Sequence, residues 1–143
     1  MSLFAAISVS ASGMAAQRAR AELLVENLAN AETTRTPEGG PYRRRDVVFT
    51  SAPAESPFAS VFAGEMAPAG VEVAGVVVDQ RAPERRYQPG HPDADAAGYV
   101  AFPRINPAED MVDLMGASRG YQANVAAITA VKDMLQRSLD LLR

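Results

Sequence analysis

The run His91-Pro92-Asp93-Ala94-Asp95 gathers side chains able to ligate a metal, and it holds the sole histidine of the chain. A calcium loop of this form closes on a glutamate, but Arg104 stands at that position, and a metal site needs several converging donors. The two aspartates are therefore expected in turns or paired with Arg85 or Arg86. A second run, Tyr42-Arg43-Arg44-Arg45, sets three guanidinium groups beside a ring, a combination suited to phosphate or RNA. One short basic run without a stacking platform, in a chain of net charge -3, reads instead as solvated arginines or as salt bridges between subunits. Thiolate and disulfide chemistry are excluded because there is no cysteine. The chain also lacks a Gly-x-Ser-x-Gly elbow, a phosphate-cradling glycine loop and a His-Glu-x-x-His pair, so neither an enzyme nor a cofactor or metal site is expected. Arg119 and Tyr121 are better suited to a protein interface, where Arg and Tyr are enriched.

The elements that position these residues are set by proline. All ten prolines lie from Pro37 to Pro107, leaving the first 36 and last 36 residues free of them. A proline inside a helix costs roughly 3 kcal/mol, so the ends read as long helices and the centre as short strands or irregular chain. Both flanks are apolar at alternating three- and four-residue steps. Near the start these are Phe4, Ile7, Ala11, Met14, Arg18, Ala21, Val25 and Leu28. Near the end they are Met111, Leu114, Ser118, Tyr121, Val125, Ile128, Lys132, Leu135, Leu139 and Leu142. Such a seam suits a helix that wraps another, and it equally suits two amphipathic helices closing one core.

The organisation expected is an N-terminal helix over 1–32, a Pro/Gly-rich β or irregular segment over 33–105 and a C-terminal helix over 106–143. The fold is mainly α, with the two helices forming a coiled-coil-like pair around a small β centre. Asn106 is placed to cap the last helix, Pro107 fits its first position, and Glu109 stands where it can bond back to the cap. Strands are expected over 42–50, 71–79 and 98–102, the last two pairing, with a loop over 51–70 and no regular structure over 81–97. A helix of that length outreaches a small domain at about 1.5 Å per residue, so part of its apolar seam should project and need partners. The acidic balance argues against nucleic acid. The first basic side chain is Arg18, behind a stretch broken by serines, and no run is long enough to span a bilayer, so neither a cleavable signal nor membrane insertion is expected.

Two long runs carry a resemblance. The first is Ser10-Ala11-Ser12-Gly13-Met14-Ala15-Ala16-Gln17, followed by Asn27-Leu28-Ala29-Asn30 and Thr34-Arg35-Thr36-Pro37-Glu38-Gly39-Gly40-Pro41-Tyr42. The second is Gly90-His91-Pro92-Asp93-Ala94-Asp95, leading to Ser118-Arg119-Gly120-Tyr121-Gln122-Ala123-Asn124-Val125. Together they resemble the FlgC family of flagellar basal-body rod proteins over nearly the whole chain. The resemblance implies a structural subunit of the proximal rod in the periplasm, exported by the flagellar type III apparatus without a cleaved signal. Its partners would be its own copies, other rod proteins and that apparatus. It also implies that the terminal helices pack together in the inner tube. The subunit interface is accordingly expected at Phe4, Ile7, Met14, Val25, Asn27, Leu28, Asn30, Met111, Leu114, Tyr121, Val125, Ile128, Leu135, Leu139 and Leu142. Another filament subunit or a helical adaptor would share the heptads without explaining the runs around Pro37 and His91.

Overall fold

The computed structural model describes residues 3–52 and 69–141. Its elements run α1 (Leu3–Ala29), β1 (Arg45–Ser51), β2 (Val71–Val78), β3 (Glu84–Tyr87), β4 (Tyr99–Phe102) and α2 (Pro107–Asp140). The expected mainly α fold with a small β centre is what forms.

Local chemistry explains both helix boundaries. Asn106 is extended and its side chain accepts from the Ala108 amide, with proline opening the helix and Glu109 and Asp110 in the first turn, where acids favour the positive end of the dipole. The return bond expected from Glu109 is not made among the described residues. At the other boundary the Asn30 amide group donates to the Glu26 carbonyl at 2.9 Å and its oxygen accepts from the Thr33 hydroxyl at 3.2 Å, so the side chain ends α1 by competing for backbone groups.

The strands pair differently from the expectation. β2 pairs antiparallel with β1, from Arg45 opposite Val78 to Ser51 opposite Val71, with a bulge at Ala74. β4 pairs with β3, a strand inside the stretch expected to lack structure. Pro83 precedes that strand and Pro89 follows it, so neither removes a ladder donor. Cross-strand contacts hold the second ribbon: Tyr87 meets Tyr99 edge-on at 5.4 Å, and Arg86 lies over the Phe102 ring at 4.8 Å. Most of the loop expected over 51–70 lies outside the described residues. Its two flanks are neighbours, since the Ala52 amide donates to the Gly70 carbonyl at 2.8 Å.

The two helices lie antiparallel. The first ribbon lies along α1, tied at one end by the Ser12 hydroxyl, which accepts from the Val71 amide at 3.0 Å, and at the other by Asn27. Along β1, Val47 and Phe49 alternate with more exposed neighbours, as a strand with one covered face requires. The core draws on all three stretches of the chain: Ala16 and Leu24 from α1, Tyr42, Val100, Phe102 and Ile105 from the centre, Ala117 and Val131 from α2.

Candidate subunit interface

Asn27 is the hub of the centre. It is wholly buried; its amide donates to the Arg45 carbonyl at 2.8 Å, while its oxygen accepts from the Arg45 amide and the Tyr42 hydroxyl, each at 3.0 Å. One side chain therefore satisfies both backbone groups of the first residue of β1 and fixes where the ribbon leaves the helix. The burial of Tyr42 raises its phenol pKa above the ordinary value.

A second buried polar group lies at the start of α2. Asp110 is 1% exposed, and its carboxylate meets the Arg44 guanidinium at 3.0 Å without hydrogen-bond geometry. Desolvation raises its pKa above the usual carboxylate range; Arg44 works in the opposite direction, while Asp46, Asp113 and Glu109 add to the rise. For Arg44 itself burial would lower the pKa, but the hydrogen bond to Asp46 and the fields of the surrounding acids raise it. Two charges of the basic run are thus paired inside the subunit, and the third, Arg43, meets only neutral acceptors. Arg44 bridges Asp46 and Asp110, Arg45 pairs with Glu26 at 2.9 Å, and Arg43 reaches the Gln80 oxygen at 3.2 Å.

The acids near His91 are also shared out. Asp93 accepts from Thr34 at 2.7 Å and pairs with Arg35, rather than with Arg85 or Arg86. Asp95 caps a turn by accepting from the Ala97 and Tyr99 amides, each at 2.9 Å, and pairs with Arg85, as one expectation had it. His91 accepts from the Asp93 amide through Nδ1. No three His, Asp or Glu side chains converge among the described residues.

The helices meet along small and polar residues. A methyl group on Gly13 would stand 3.0 Å from the Asn124 amide, one on Gly120 would stand 3.2 Å from Gln17, and Arg20 pairs with Asp113 at 3.3 Å. Ala16 and Ala117 are buried along the same line. Both facing stripes sit one residue before the apolar seam read from the sequence. The physical reason is that interhelical distance follows side-chain size, so Gly and Ala permit an approach that the large apolar positions would block. A glycine inside a helix costs roughly 1 kcal/mol relative to alanine, and that penalty at Gly13 and Gly120 was the available signal.

Displaced by that one step, many of the large apolar side chains lie open. Phe4 is 76% exposed, Leu139 65%, Met111 52% and Val25 51%, and Tyr121 and Val125 are exposed beside them. Ile7, Met14, Leu28, Leu114, Ile128 and Leu135 are half-buried. Of the remaining interface expectations, Asn27 lies inside the subunit with its bonds satisfied there, Asn30 is spent on the end of α1, and Leu142 falls outside the described residues. Val112 and Met115 are exposed apolar residues on α2 that the seam omitted. No described helix is long and apolar enough to cross a membrane.

The family model described as flagellar basal body rod FlgEFG protein C-terminal matches residues 96–141. Over 100% of its length the chain is 39% identical to flagellar basal-body rod protein FlgC of Borreliella burgdorferi, covering 99% of that protein. It is 38% identical to the FlgC of Salmonella typhimurium, over 99% of the chain and 98% of that protein. With the FlgC of Bacillus subtilis it shares 39% identity over 99% of each.

Proposed function

We propose, because the chain belongs to the FlgC family of flagellar basal-body rod proteins, that it is built into the proximal part of the rod through the open apolar face of its two terminal helices. It is a structural subunit of the flagellar basal-body rod. In this reading it acts as a mechanical part rather than an enzyme, touching its own copies and other rod proteins. It reaches the periplasmic rod through the flagellar export apparatus.

The observation that supports assembly through the helices is the set of large apolar side chains left uncovered by the helix pair, with Phe4 and Val25 on α1 and Met111, Tyr121, Val125 and Leu139 on α2. Each buried side chain of this size is worth roughly 1.5 to 3 kcal/mol, so a neighbour covering several of them gains enough to offset the ordering of the contact. Head-to-tail contacts whose rotation does not close generate a helical array, and torque is then borne by many side chains at once.

Val125→Asp tests this, because the residue is exposed and its replacement leaves the subunit core intact. The variant is expected to be secreted at the normal level, to keep its circular dichroism and to be missing from isolated basal bodies, with motility lost. Normal motility and normal incorporation of both Val125→Asp and Phe4→Asp would remove the helix face from the assembly reading.

A further inference from the structure

A cavity of about 100 Å³ opens beside the Gly39–Gly40 turn, and four arginines line it: Arg43, Arg44, Arg81 and Arg104. Asp79 is the one acid in its wall. Two of the four cations are committed. Arg81 grips Asp79 through both oxygens, at 2.9 and 2.6 Å, and holds that carboxyl down to about 2, and Arg44 is held by Asp46 and Asp110. The other two are not. Arg43 has only neutral acceptors, the Asp79 carbonyl at 3.4 Å and the Gln80 oxygen at 3.2 Å. Arg104 has no hydrogen bond or ion pair among the described residues, although its field reaches Asp79 and Glu84. An acidic chain of net charge -3 therefore leaves two uncompensated guanidinium groups around one concavity.

The walls are rigid. Pro41, Pro83 and Pro103 lie in the lining, where each has its φ fixed by the ring, and Pro103 is fully buried. Gly39 and Gly40 have φ of 90° and 77°, and a side chain on either would meet nothing within 4 Å, so the turn leaves the rim open. Volume narrows the ligand. Sites for whole metabolites measure roughly 300–1,000 Å³, so this cavity holds one anionic group and not a nucleotide. Guanidinium forks match carboxylate and phosphate oxygens.

We infer that this cavity is a docking socket for a single carboxylate, an aspartate or glutamate side chain of an adjoining rod subunit, received by Arg43 and Arg104. The inference rests on the rod reading and adds to it a polar contact separate from the helix face. Charge complementarity favours a protein source: exposed Glu32, Glu38, Glu72, Asp133 and Asp140 have no ion pair among the described residues, so each copy carries free acids to offer. The socket is formed before its guest arrives, which lowers the cost of docking.

The test expresses the full chain in a flagellated bacterium whose own rod protein of this family has been deleted. Arg43→Gln with Arg104→Gln should keep secretion and the circular dichroism melt while reducing the amount recovered in basal bodies at least tenfold. Arg104→Glu should be rescued by changing an acidic residue of a neighbouring rod subunit to lysine. Incorporation of the double glutamine variant at the wild-type level, with the wild-type chain active in the same cells, overturns the socket and leaves the rod reading standing. A wild-type chain that never enters basal bodies defeats the rod reading itself, and the socket with it. In solution, inorganic phosphate and acetate serve as probes, followed by the arginine side-chain NMR signals. Weak, equal shifts with both fit a socket completed only in the assembly. Phosphate binding below about 0.1 mM that vanishes in Arg104→Gln would reassign the cavity to a free anion and overturn the protein-carboxylate proposal.

Discussion

At Asn27 one side chain takes the place of water for three polar groups, the Arg45 amide, the Arg45 carbonyl and the Tyr42 hydroxyl. Asn27→Ala strands the Arg45 amide and carbonyl and the Tyr42 hydroxyl, and each buried group left without a partner costs roughly 1–3 kcal/mol. Tyr42→Phe removes one bond of the set and should cost about 1 kcal/mol. Urea denaturation of the two variants checks the order. The Arg44–Asp110 pair is asymmetric. Arg44→Ala leaves a buried carboxylate with neither ion nor hydrogen bond and should cost about 3–5 kcal/mol at neutral pH, whereas Asp110→Asn removes the charge that is hard to bury and should cost less. The sign of the pH dependence follows from the raised pKa. A folded state that binds this proton more tightly than the unfolded one is favoured by acid, and that contribution is lost as pH rises from the ordinary value of 3.8 through the higher folded one. Asp79, held at about 2, acts oppositely: its contribution is complete above 3.8 and is lost as pH falls through 2. Arg44→Ala should therefore widen the acid-favoured window upward, and Asp110→Asn should abolish it, as read from urea midpoints between pH 3 and 7.

Between elements, the helix pairing depends on two glycines. Gly13→Leu puts a side chain where a single methyl already meets the Asn124 amide, so the helices must separate or the residue must turn out, at about 1–3 kcal/mol. A lower thermal midpoint with retained helicity is the expected result. Sequence was a good guide to where helices begin and end, because Pro107, Asn106 and Asn30 act locally. It was a poorer guide to which stripe faces which, because apolar periodicity marks large side chains and this contact is built from small ones. The β3 strand was hidden for a related reason: Pro83 and Pro89 read as breakers, yet they bracket Glu84–Tyr87 and leave its ladder untouched. The Arg44–Asp110 pair was invisible because 66 positions separate its members and each had a sufficient local explanation, a basic run in one case and a helix dipole in the other.

Across the whole molecule, the buried polar contacts are gathered where α1 ends and α2 begins, while large bare side chains run along the helices from Val25 and Met111 to Phe4 and Leu139. Asn27, Tyr42, Arg44, Asp110 and the Arg45 end of the first ribbon meet there. With Gly13 opposite Asn124, Leu3 faces roughly residue 134, so among the described residues the end of α2 runs past the start of α1. Leu139 and Leu141 stand out there. That overhang gives each subunit a head and a tail that cannot be exchanged by turning it over. In the proposed assembly a file of such pieces would carry an arrow along its axis, and the surface offered at the advancing tip would differ from the one left at its root.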